Sequence, residues 1–131
     1  MKYVCFGYYD EEAWGAMSES ERQGFMDDCL AYDDVLRKNG PIGGEALQTV
    51  RNARTLRLRN GKVTVTDGPY AETREQIGGF FSFEAGDMDE AVRLVSKHPG
   101  LKAGPFEIRP VEDMTDIIRE SERRRSKTNR T

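Results

Sequence analysis

The chain has 131 residues, 37% hydrophobic and 33% charged, enough for one domain with a single core and too few for two ordinary domains. Its apolar residues recur in periodic clusters, which excludes a disordered chain. No apolar run reaches the length of a membrane span and MKYVCFGYYDEE has no signal-peptide core, so a cytoplasmic protein with no membrane partner is expected. The net charge of -3 is unevenly spread: nine acids against Arg22 from Asp10 to Asp34, then five bases and no acid from Arg51 to Lys62. Such asymmetry steers ionic ligands or matches charges within and between subunits. Cys5 and Cys29 stand at apolar positions without a partner at metal-ligand spacing and read as reduced core thiols.

Lys2 to Tyr9 carries apolar or aromatic residues on both alternating faces, which predicts a central strand covered on both sides. Asp10 to Met17 reads as a polar loop, with Trp14 clamped over the core or an interface. Ser18 and Glu21 form a capping box for a helix whose stripe is Phe25, Met26, Cys29, Leu30, Tyr32 and Leu36. Gly40-Pro41 ends it. Asp27, Asp28, Asp33 and Asp34 fall outside that stripe and read as solvated acids, not as a metal site, because adjacent helical residues diverge by about 100 degrees.

Pro41 to Ala53 is Gly-rich, with an extended piece expected at Glu45 to Gln48 and no phosphate-loop spacing. Asn60-Gly61 is a two-residue hairpin turn within Thr55 to Thr66, placing Leu58 opposite Val63 and Leu56 opposite Val65. Arg57, Arg59 and Lys62 on the other face read as guards against edge aggregation. Asp67-Gly68-Pro69 is a rigid turn, and a further strand, Ile77 to Glu84, opens with Gly78-Gly79, a sign of a bulge or of a close approach by a helix, a partner or a ligand.

Asp87 and Glu90 cap a second helix that Pro99 stops just after His98, the chain's one histidine, at a helix end whose dipole favours a partly exposed cation. Phe106 to Arg109 makes the last strand, with Phe106 and Ile108 inward and Glu107 and Arg109 outward. Met114, Ile117 and Ile118 dock a short helix, after which ERRRSKTNRT reads as a frayed, solvated tail. It has no aromatic interleaving, which disfavours nucleic acid.

This order gives an α+β fold, a ferredoxin-like βαββαβ plan with an inserted hairpin. Two helices cover one sheet face, and a homodimer formed sheet to sheet would cover the other. Residues 1–111 are expected to form the domain and 112–131 a short helix with a basic tail.

TLRLRNGKVTVTDGPYAETREQIGGFFSFE, the helix ending in His98-Pro99 and the strand FEIRP together resemble the DGPF subgroup of the YCII-related proteins, with Tyr70 as the fourth motif residue. The resemblance implies a dimeric α+β barrel. It also implies a link to enzymes that pair a histidine in the first helix with an aspartate before a proline, and an association with extracytoplasmic-function sigma factors. This chain has no histidine in its first helix and has His98 where the aspartate would stand. The expected site is therefore a small-molecule pocket near the Asp67 turn that works without cofactor or metal and is capable of acid/base, lyase-like chemistry. In it His98 is the acid or base, Asp67 orients it, Tyr70, Glu107 and Arg109 contact ligand, Arg109 holds an anionic group, and Gly78 and Gly79 allow close approach. The other expectation is a noncatalytic regulatory or accessory protein acting on a sigma factor.

Overall fold

A computed structural model describes residues 1–129. Strand β1 (Lys2–Asp10) runs through the middle of a four-stranded antiparallel sheet, flanked by β5 (Glu75–Glu84) and β6 (Phe106–Pro110), with β2 (Gly43–Ala46) outside β5. The spatial order β2-β5-β1-β6, every pair antiparallel, is the ferredoxin-like arrangement of two interleaved βαβ units. Helix α2 (Glu19–Arg37) links β1 to β2, and α3 (Met88–Val95) links β5 to β6. The fold class and plan expected from the sequence are met.

Both long connections fold for local reasons. Ser18 accepts the Glu21 amide while Glu21 accepts the Ser18 amide, closing the capping box of α2. Asp87 accepts the Glu90 amide at the start of α3. Their apolar stripes meet the sheet face that presents Tyr3, Cys5 and Phe83, and these residues join Ala85, Ala91 and Val95 in the buried core. The Tyr32 hydroxyl donates to the Leu94 carbonyl, tying the two helices together.

Strands β3 (Arg54–Arg59) and β4 (Lys62–Asp67) form a separate two-stranded arm inserted between β2 and β5. Asn60 (φ 51°) and Gly61 (φ 78°) take the left-handed angles of the predicted turn, and Leu56↔Val65 and Leu58↔Val63 pair as expected. Asp10, the last residue of β1, and Glu11 just after it hold the arm by both roots. Asp10 pairs with Arg74 at 2.8 Å. Glu11 accepts the Val50 amide and the Thr49 hydroxyl, each at 2.9 Å.

Three sequence expectations are corrected. Glu11–Ala16 is a short helix (α1), not a loop, because Asp10 accepts the Glu12 and Ala13 amides as its N-cap. Helix α3 ends at Val95, and His98 instead accepts the Gly100 amide at the head of a 3-10 turn, Pro99–Lys102, so it is a buried residue and not an exposed helix-end cation. Most of the tail is a helix, α4 (Thr115–Asn129), started by Asp113 capping Thr115 and laced by Asp116–Arg119 and Glu120–Arg123 pairs. The last two residues of the expected tail lie outside the described residues. Among the described residues, no helix is long and apolar enough to cross a membrane.

Candidate functional site

A groove of about 580 Å³ opens between α2 and the sheet. Trp14 and Phe25 stand edge to face on one wall, with ring centroids 5.5 Å apart, and Tyr9 meets Trp14 at 6.4 Å. Met26 and Leu30 line the α2 side, while Gly78, Gly79 and Phe81 line the sheet side. Arg22 holds α1 against α2 by donating to the Trp14 and Met17 carbonyls, which fixes the aromatic wall.

At the groove's floor lies His98, only 7% exposed. Its ring is stacked on Phe81 (5.5 Å, 23°) and meets Tyr32 and Phe106 edge-on at 5.3 Å each. Gly100 donates its amide to Nδ1 at 2.9 Å, so Nδ1 is the unprotonated nitrogen and Nε2 carries the hydrogen. That Nε2–H points to Asp33 Oδ1 at 3.0 Å. Gly100 must be glycine for this contact, since a Cβ there would stand 2.5 Å from the Phe106 ring and 3.0 Å from His98 Nδ1.

The electrostatic consequence is a division of labour. The imidazole spends both nitrogens inside the protein, whereas Asp33, 25% exposed, turns carboxylate surface to the groove. Cys29, one turn before Asp33 on the same helix face, is pushed up to about 11 by burial and then by the Asp33 and Asp28 charges, so it stays a thiol. Among the described residues Arg37 is the one lysine or arginine in the lining, and Asp34 holds it at 2.6 Å.

The residues predicted for the site are divided by the fold. His98, Gly78 and Gly79 line the groove. The two glycines also answer to the protein's own packing: a Cβ on Gly78 would lie 2.6 Å from the Tyr9 ring, and one on Gly79 would lie 2.9 Å from the Glu45 carbonyl. Asp67 does not orient His98. It sits at the end of β4, 89% exposed, paired with Arg54 at 3.1 Å. Tyr70 is 81% exposed beneath the Arg57 guanidinium. Glu107 and Arg109 pair with each other on the opposite sheet face, because β6 alternates and Ile108 takes the inward position. In the sequence Asp33 is hidden as a partner of His98, because it reads as one of four acids on a polar face. The missed signal is spacing: Asp33 follows Cys29 by four and Leu30 by three, which sets it on the edge of the apolar stripe.

The sequence model of the YCII-related domain matches residues 1–115, and the chain belongs to that family. An uncharacterized protein of Rhizobium meliloti (strain 1021) is 33% identical over 114 residues, spanning 85% of this chain and 92% of the relative. Among solved structures, the 5-chloro-2-hydroxyhydroquinone dehydrochlorinase of Burkholderia phenoliruptrix AC1100, in complex with 2,5-dihydroxybenzoquinone, is 19% identical. It aligns with a TM-score of 0.48 over 86% of this chain and 94% of that one.

Proposed function

We propose that the protein binds a small organic molecule in the groove between α2 and the sheet, and that Asp33 handles a proton on it. The observation that carries this is the Asp33–His98 pair at the groove floor, with histidine as the buried member and carboxylate as the presented one. Asp33 is then the acid or base, and His98 is a positioning residue that fixes the carboxylate and leaves its second oxygen for the ligand. In this reading an aspartate stands on the first long helix and a histidine before the proline, the reverse of the order that the family resemblance implies. The reading requires no cofactor for proton transfer. The DGPF-type turn serves a different purpose in this proposal: Gly68 donates to Ala53 and accepts from Thr55, closing the base of the arm.

Native mass spectrometry after equilibration with a metabolite mixture tests it. A defined adduct that disappears in Asp33→Asn and weakens in Trp14→Ala is expected. An adduct indifferent to both substitutions would place binding elsewhere and end the proposal.

The assembly belongs to the same proposal. Val4, Phe6, Tyr8, Ile77 and Phe80 share the sheet face away from the helices, and a second copy laid on that face would remove them from water. A second reading, a noncatalytic role on a protein partner such as a sigma factor, draws on the arm, whose Leu56, Leu58, Val63 and Val65 are all exposed, Leu58 to 72%. Pull-down with and without residues 112–131, and with Leu58→Glu, tests it; partner capture unchanged by both would remove tail and arm from that role.

A further inference from the structure

We infer that the groove selects a cationic ligand with an apolar body, an aryl- or alkylammonium, over neutral or anionic molecules of the same shape. The inference rests on the reading of the groove as a ligand site and adds the charge of what enters it. Asp33 presents its carboxylate at the floor, and His98 donates a hydrogen to that carboxylate without accepting one from the ligand. An incoming anion would meet Asp33 at the floor, while the Arg37 guanidinium in the lining is held by Asp34 and Lys102, which acts on Cys29, lies outside the lining. The Tyr9 hydroxyl on the wall donates to Glu11 at 3.2 Å, and Glu45 adds a second carboxylate to the lining.

An ammonium meets the reverse conditions. Asp33 supplies a charge-assisted acceptor, and the Trp14 and Phe25 rings, inclined at 71°, offer a π-face to a cation and an apolar wall to its body. The segment that builds the wall and α2, Asp10 to Arg37, holds nine acids against Arg22 and Arg37, a balance that favours the approach of cations.

The chain's one tryptophan stands in that wall and reports occupancy by its fluorescence. Three probes of one shape separate the terms at neutral pH: 2-phenylethylammonium, 2-phenylethanol and phenylacetate. The ammonium is expected to saturate the Trp14 signal at a concentration about tenfold below the alcohol, the worth of one modest ionic contact, with phenylacetate weakest. In Asp33→Asn, folded by circular dichroism, the ammonium should lose its advantage over the alcohol. Phenylacetate binding at least as well as the ammonium, above all if Arg37→Gln abolishes it, would overturn the inference and leave the groove as a ligand site. An ammonium preference surviving Asp33→Asn would also overturn it. A Trp14 signal indifferent to all three probes would count against both the inference and the groove.

Discussion

At the scale of single residues, the site is a chain of obligations running from Gly100 through His98 to Asp33. Each link is fixed by the one before, so a change at the hidden end should reach the exposed one. His98→Ala leaves a cavity among Phe81, Tyr32 and Phe106 and an unanswered Gly100 amide; a loss of about 2–5 kcal/mol in urea unfolding is expected. Gly100→Ala drives a methyl into the Phe106 ring and should cost about 1–3 kcal/mol. Thiol chemistry supplies a pH test. With Cys29 pushed to about 11 and Cys5 to about 12, both chiefly by burial, the reactive thiolate is scarce at pH 8. Labelling by a disulfide reagent should be slow in the folded protein and rise sharply in denaturant. Rapid labelling at pH 8 without denaturant would contradict the burial of both. Little of this chain of contacts was legible in the sequence. A lone histidine before proline is visible, but which acid reaches it depends on how α2 is rotated over the sheet.

Among the elements, the arm shows how local signals and long-range ones differ in legibility. Asn60-Gly61 declares its turn in two residues, and Ser18 with Glu21 declares the start of α2, because each device is complete within four positions. The clasp at the arm's base joins Asp10 and Glu11 to Arg74, Thr49 and Val50, across 38 to 64 positions, and no local pattern announces it. The Arg74 hydrogen bond holds the Asp10 carboxyl below its usual range. Burial pushes Glu11 up, but the Val50 amide and the Thr49 and Tyr9 hydroxyls outweigh it and leave its pKa lowered. Both carboxyls are depressed in the folded chain, so their stabilisation is complete above the unfolded values of about 4 and is lost as pH falls through the folded ones. Arg74→Met should remove the Asp10 share. Its melting temperature should lie below wild type at pH 6, with the gap closing toward pH 3; a gap of constant size would refute the clasp.

For the whole molecule, composition and periodicity disclosed the ferredoxin-like plan well, since each strand and helix carries its own pattern and the sheet order follows from the two crossovers. The extent of α4 was obscured because its charge-rich sequence reads as solvated tail, while its i,i+3 ion pairs support a helix that makes little use of a core. The proposed sheet-to-sheet dimer is tested at this scale. Burying an aromatic side chain such as Phe6 is worth about 1.5–3 kcal/mol, so Phe6→Glu should raise the dimer dissociation constant by at least about one to two orders of magnitude. Sedimentation equilibrium measures it, and an unchanged constant would move the interface to another face.

The hydrogen on His98 Nε2 also gives the molecule a spectroscopic voice. It sits inside three aromatic rings and is donated to a carboxylate, and the chain has no second histidine to crowd the spectrum. A single slowly exchanging imidazole N–H resonance, shifted downfield by that bond, should therefore be visible in water. Its linewidth as temperature rises would time the opening of the groove floor, before any ligand is known.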